Sequence, residues 1–326
     1  MYTKRFKVME IRPPVLIVTY NRPNSLENIL NQSFSYGIRI FYVAVDGAKN
    51  NLENDLPVKI NQVIDEFSSK NSLKIKIWYR DVNLGLTKSM LSAIDWFFSN
   101  ESRGIILEDD LHLTKSFFDF TQKGLQMYES NKKVFMISGN QFSGSAGDVS
   151  GVSVANYPLI WGWATWSNRW SEFRINLDQF KVPKNEVRIN KNIYFFWRLG
   201  YLRSMYLQNQ SWAILLATYL RFSNYISVMP NSNLVSNIGF GTGSTNTVVP
   251  NESLQKASVE QQISIFEIEN ACDLNTFIEK DVYNISFKHY LLFVKILNMR
   301  LWTGIYDDSL INALNLLAVK SFRDQR

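Results

Sequence analysis

From residue 15 to residue 139, short apolar runs alternate with amphipathic stretches. Val15 to Tyr20 is a β-rich run, stopped by Asn21-Arg22-Pro23. A helix is expected at once, since Asn24 and Glu27 have capping-box spacing and Leu26, Ile29 and Leu30 form one apolar stripe. Ile40 to Val45 reads as a second strand ending at Asp46-Gly47, and Val58 to Phe67 as a second helix. Leu73 to Tyr79 gives a third strand and Arg80 to Gly85 a polar turn. Met90, Leu91, Ile94, Phe97 and Phe98 then mark a helix leading into the run Ile105 to Leu107. Lys132 to Gly139 is a further strand. Such alternation predicts an α/β protein with a mostly parallel, doubly wound sheet, in which ligands bind outside the carboxyl ends of the strands.

The Ile105 to Leu107 run shows no polar alternation, as a strand buried on both faces should not, and it ends on Glu108, Asp109 and Asp110. Three adjacent anions at the end of a core strand repel one another unless a cation or a ligand's donors compensate them. A divalent metal is the economical explanation. The alternative is a cap for the next helix, beginning at Thr114 or Ser116, with Phe117, Phe118, Thr121, Leu125 and Tyr128 on its inner face. Other strand ends carry Thr19, Asn21, Arg22, Asp46, Arg80, Asn83 and Lys88. Together they make a rim of both signs, suited to a metal-bound diphosphate between a nucleoside and a sugar.

These stretches carry a resemblance. Val-Leu-Ile-Val-Thr-Tyr-Asn-Arg-Pro at 15–23, Val-Asp-Gly at 45–47, Asn-Leu-Gly-Leu at 83–86 and Glu-Asp-Asp-Leu at 108–111 resemble the nucleotide-sugar domain of GT-A glycosyltransferases. The likeness is to the branch with the N-acetylglucosaminyltransferase that initiates complex N-glycans and to bacterial enzymes of polysaccharide assembly, O-antigen among their products. It extends over about residues 12–250. It implies that Asp110 ties Mn²⁺ or Mg²⁺ to the donor diphosphate, and that Asp109 and Glu108 contact ribose or sugar. Arg22 and Asp46 match nucleoside-binding positions, Asp46 by accepting from a uracil imide, with Lys88 and Arg80 near phosphate or uracil. A UDP-sugar donor, inversion at the anomeric carbon, and a glycan or lipid-linked acceptor are implied in the same way.

Tyr157 to Trp170 holds Trp161, Trp163, Trp166 and Trp170, interrupted by Gly162. They read either as an aromatic wall for a sugar ring or as core packing. The stretch resembles the acceptor-side loop and helix of the bacterial transferases, which makes Trp161, Gly162 and Trp163 the expected acceptor contacts, with Trp212. Leu177 to Lys191 reads as a surface excursion, and Tyr194 to Leu207 and Ser211 to Leu220 as helices. In the resembling enzymes an acidic residue follows the equivalent of Trp212 and deprotonates the acceptor; this chain has Ala213, which transfers no proton. An engineered substitution, service by another carboxylate such as Glu172 or Asp178, and an inactive relative are all open explanations. Gly239, Gly241 and Gly243 have a spacing that suggests dinucleotide binding, but no helix pattern follows and Pro250 stops the run. A glycine-rich loop closing over the diphosphate is the better reading, with Asn246 where bacterial relatives often carry His.

Composition adds bounds. The 326 residues are 46% hydrophobic and 20% charged, as in a folded domain, and aromatics reach 14% with nine Trp. A net charge of +6 suits an anionic partner, and no nucleic-acid motif accompanies it. The lone Cys272 forms no internal disulfide, and Met1 to Pro14 lacks the apolar core of a signal peptide, so a cytoplasmic location is expected. The apolar 287–302 segment, carrying Lys288, Lys295 and Arg300, reads either as a peripheral contact with the inner face of a membrane or as a helix packed on protein. The expected division is a nucleotide-sugar-binding domain over 1–140, an acceptor-side subdomain with the closing loop over 141–250, and a helical C-terminal extension over 251–326.

Overall fold

The computed structural model describes residues 11–50, 53, 55–141, 151–177, 180, 201, 204, 211–238 and 272–273. The elements, in chain order, are β1 (Val15–Thr19), α1 (Pro23–Ser35), β2 (Phe41–Val45), α2 (Leu56–Asn71), β3 (Lys76–Tyr79), α3 (Leu86–Phe98), β4 (Arg103–Glu108), β5 (Leu111–Leu113), α4 (Lys115–Met127), β6 (Val134–Ser138), β7 (Val152–Ala155), β8 (Trp163–Trp166), α5 (Ser167–Leu177), α6 (Trp212–Phe222), β9 (Ile226–Pro230), β10 (Val235–Asn237) and β11 (Cys272–Asp273).

Nine of the strands form one sheet in the order β11-β7-β9-β6-β8-β4-β1-β2-β3, while β5 and β10 make a separate antiparallel pair. The β4-β1-β2-β3 portion is wholly parallel, as repeated strand-helix units dictate. β8 is antiparallel to both its neighbours, β4 and β6, and β7 is antiparallel to β9. The sheet is therefore mixed and mostly parallel, and strands from both sides of residue 140 share it.

Alternation along each strand divides the core in two. Val15, Ile17, Phe41, Val43, Ile105 and Leu107 face a layer with α1, α2 and α4. Leu16, Tyr42, Ala44, Ile106 and Trp163 face the layer with α3, α5 and α6. Both faces of the central strands are buried, which explains why these strands read as continuous apolar runs.

One local expectation gives way, at the first helix, and one is met, at the fourth. The first helix starts at Pro23 with Arg22 at its N-cap, and no side chain caps it; proline fixes the entry, so the Asn24–Glu27 box is not used. The fourth helix is capped by Thr114, whose Oγ1 accepts from Phe117 N at 3.2 Å. The residues of 181–200, the whole glycine-rich stretch after Ile238, and 287–302 lie outside the described residues, as do Asp178 and Asn246. Among the described residues, no helix is long and apolar enough to cross a membrane.

Candidate active site

The carboxyl end of β4 gathers side chains from four separate segments. Val18 pairs with Glu108, which sets Thr19 beside Asp109, and Thr19 Oγ1 donates to Asp109 Oδ2 at 2.5 Å. The β1–α1 turn is short, so Arg22 stays at the same edge. Its Nη1 lies 2.8 Å from Asp110 Oδ2 and 3.4 Å from Asp109 Oδ1. A cation at a helix N-cap is opposed by the helix dipole, and here the two aspartates reverse that balance. On the far side β10 pairs with β5, with Asn237 opposite Leu111. Asn237 Nδ2 reaches Asp110 Oδ1 at 3.3 Å, and Ile238 N donates to the Asp110 carbonyl at 2.8 Å.

Three carboxylates thus share one guanidinium. Burial, then the charges of Asp110 and Asp109, push Glu108 up to about 8 against the pull of Arg22. Burial also lifts Asp109 to about 6, although the Thr19 hydrogen bond works in the opposite direction. Arg22 itself is desolvated, yet the two aspartates raise it further above its ordinary value. Negative charge is therefore under-compensated at a mouth where ligands of parallel sheets bind. Among the described residues no three His, Cys, Asp or Glu side chains form a group fit to hold a metal ion. The donor set is one of hard carboxylate oxygens, which fits a Mg²⁺-like cation that keeps one or two carboxylates and takes its remaining ligands from phosphates and water.

The neighbouring rim is organised by Asp46, 7% exposed at the end of β2. Its Oδ1 accepts from Gly47 N at 3.1 Å and Leu84 N at 3.0 Å, and its Oδ2 from Gly85 N at 3.2 Å and Asn83 Nδ2 at 3.3 Å. Four donors fill the capacity of a carboxylate. The expectation that Asp46 accepts from a uracil imide is corrected accordingly: such a donor must first displace one of these. Gly47 belongs to the same clamp, since a Cβ there would lie 2.3 Å from the Val82 carbonyl carbon.

Arg80 follows β3, its guanidinium 4.3 Å from the centre of the Trp78 ring. Nη2 donates to Ser89 O at 3.0 Å and Ser92 Oγ at 2.9 Å. Nε and Nη1 are buried without a partner among the described residues, and desolvation lowers the pKa despite Asp46. Lys88 is exposed on the first turn of α3, and Asn21 is half-buried in the β1–α1 turn.

On the acceptor side two expectations are corrected. Trp163 and Trp212 are each 1% exposed and stack on one another with centroids 5.9 Å apart, so their rings fill the core and offer no face to an acceptor. Gly162 is buried, with φ at +62°, a left-handed turn suited to glycine, and its carbonyl accepts from Gly139 N at 2.7 Å. Trp161 is half-buried against the α1/α4 layer. Ala213 follows Trp212 in the first turn of α6 and is partly exposed. Glu172, one candidate replacement base, accepts from Tyr225 Oη at 2.5 Å on its Oε1.

Sequence reasoning did not anticipate Asn237, Asn140 or the Tyr20–Glu53 hydrogen bond that fastens the loop after β2. Asn237 meets Asp110 across 127 residues, through a strand pair too short to leave a periodic signal.

No protein-family model matches the sequence, and no curated protein does. Among solved structures, a mannosyltransferase, PcManGT, from Pyrobaculum calidifontis in complex with GDP-Man and Mn²⁺ is 12% identical, with TM-score 0.38, covering 66% of this chain and 72% of its own. The inositol-1-phosphate CTP transferase from T. maritima is 8% identical, with TM-score 0.40, over 72% of this chain and 91% of its own. A UDP-glucose pyrophosphorylase complexed with UDP-glucose is 9% identical, with TM-score 0.34, over 67% and 90% respectively. These likenesses are loose, and the site is read from its own geometry.

Proposed function

We propose that this chain is a GT-A type, metal-dependent glycosyltransferase that moves a sugar from a UDP-sugar to a hydroxyl of a glycan or lipid-linked oligosaccharide, as in bacterial polysaccharide assembly. The observation that carries it is the cluster Glu108, Asp109 and Asp110 at the carboxyl edge of the sheet with, among the described residues, the Arg22 guanidinium set against it. Asp110 holds Mn²⁺ or Mg²⁺ in this reading, and the cation supplies charge neutralisation to the departing diphosphate when bound. Arg22 moves between carboxylate and phosphate, Thr19 fixes Asp109 toward the ribose, and Glu108 faces the sugar. Arg80 brings two unpartnered guanidinium nitrogens, Nε and Nη1, to the nucleoside end, with Asn83 and Lys88 beside it and Asn21 at the turn. Trp161 remains the acceptor contact. No covalent nucleophile is needed for direct displacement with inversion, and a base at position 213 would complete the site.

A nucleotidyltransferase of sugar phosphates is disfavoured because its glycine-rich loop has no room where α1 begins four residues after Thr19. The absence of a carboxylate at Ala213 favours a second reading, a binding protein that retains the donor site without transfer. A thermal-shift screen of nucleotide sugars with Mn²⁺, followed by a transfer assay, separates these readings. Stabilisation by a UDP-sugar that vanishes with EDTA supports a donor site, and no response to any nucleotide removes it.

A further inference from the structure

We propose that Asn140 reads the transferred sugar, its buried amide hydrogen-bonding an uncharged hydroxyl or acetamido substituent; this rests on the nucleotide-sugar reading above. Asn140 is 0% exposed, and neither its Nδ2 nor its Oδ1 has a partner among the described residues. Ser138, also 0% exposed, has an unpartnered Oγ. Buried polar groups are almost always hydrogen-bonded, and an amide orphaned at both ends needs an explanation.

Its position supplies one. Ile106, Trp163 and Ser138 lie in register across β4, β8 and β6. Gly139 N donates to Gly162 O at 2.7 Å and Leu234 N to Gly139 O at 3.1 Å, which keeps the chain extended beyond Ser138. Two residues further along, Glu108 and Asn140 therefore stand level on one face, two strand spacings or about 9–10 Å apart. On β8 the left-handed Gly162 reverses the alternation, and Trp161 packs against the opposite layer. No indole of β8 is thereby interposed between Glu108 and Asn140.

The order along the rim is Arg80, Asp46, Thr19 with Arg22, Glu108 to Asp110, then Asn140. A nucleotide sugar is itself linear: base, diphosphate, sugar. With the diphosphate at Asp110 and the base toward β2 and β3, the sugar extends toward β8 and β6, where an amide offers both a donor NH2 and an acceptor carbonyl.

The test is calorimetry with Mn²⁺ on the full chain, measuring UDP against UDP-GlcNAc and UDP-Glc, and GDP against GDP-Man, for wild type, Asn140→Leu and Asn140→Ala. For the donor that wild type binds, the ratio of the sugar nucleotide's Kd to that of its bare diphosphate should rise at least tenfold in both variants, with bare diphosphate affinity within twofold. The ligand-free Asn140→Leu protein should melt no lower than wild type, because it loses an unsatisfied amide. An unchanged ratio overturns the proposal, and so does a lower melting temperature with both affinities reduced in parallel, the signature of an amide that merely holds buried water. If Asn140→Leu does not fold, Asn140→Ala decides by the same ratio. Wild type that binds bare diphosphates but no sugar nucleotide refutes the role of Asn140 alone; wild type that binds neither removes the nucleotide-sugar reading as well.

Discussion

Arg22 Nη1 stands 2.8 Å from Asp110 Oδ2, and both side chains are about one-fifth exposed. This pair holds the anionic cluster together without ligand. Replacing Arg22 with Gln leaves the Asp109 and Asp110 carboxylates uncompensated beside Glu108, and a destabilisation of about 1–3 kcal/mol is expected. The same variant should bind Mn²⁺ alone more tightly and UDP with Mn²⁺ more weakly. Denaturant unfolding and calorimetry check the two signs.

Asp46 joins the end of β2 to the loop that opens α3 through three hydrogen bonds, and a fourth holds the adjacent Gly47 N. Asp46→Ala frees three backbone N–H groups at once, while the Asn83 amide keeps its 2.8 Å hydrogen bond to Gly47 O. A loss of about 2–4 kcal/mol is expected, below the sum of single bonds because the loop relaxes. Urea unfolding measures it, and a change below half a kilocalorie would mean the loop is held by other contacts.

Ala213 is the second residue of α6, after the N-cap Ser211 and Trp212. A carboxylate in the first helical turn is favoured by the dipole, by about 0.3–1 kcal/mol. Ala213→Asp should therefore cost no stability, and in a transfer assay it should raise turnover at least tenfold over the parent chain. Unchanged turnover favours the non-catalytic reading.

On α4, Asp119 accepts from Lys115 Nζ at 2.6 Å and from Arg12. Burial pushes its pKa up, but the hydrogen bonds and charges of Lys115 and Arg12 outweigh it and hold the carboxyl below its ordinary value. A depressed carboxyl stabilises the fold above its unfolded pKa of about 3.9, and the contribution is lost as pH falls through the folded value. The melting difference between wild type and Asp119→Asn should be constant from neutral pH to about 5 and shrink below about 4. A difference independent of pH would assign the effect to packing.

Much of the fold was legible because its signals are local. The apolar runs of β1, β2, β4 and β6 and the stripes of α1, α2 and α3 each lie within a short window, and the acidic triplet declares itself by adjacency. What escaped is non-local. The reversal of β8 depends on its pairing with both β4 and β6. The aromatic richness of 161–170 does not reveal that Trp163 stacks on Trp212, since α6 must first pack onto β8. Asp46 looked like a ligand contact because nothing in its neighbours discloses that residues 83–85 return to it. Asn140 and Asn237 sit in short polar stretches, beside Gln141 and Ser236, that single out neither residue, and only strand register gives them meaning.

The most direct measurement is UDP affinity by calorimetry, with Mn²⁺ and with EDTA, for wild type and Asp110→Asn. The expected result is tight binding by wild type only with Mn²⁺, and a loss of at least a hundredfold in the variant, about 2.7 kcal/mol, with no drop in melting temperature. Equal affinity in the two proteins with Mn²⁺ present would contradict the assignment of Asp110 as the cation's anchor.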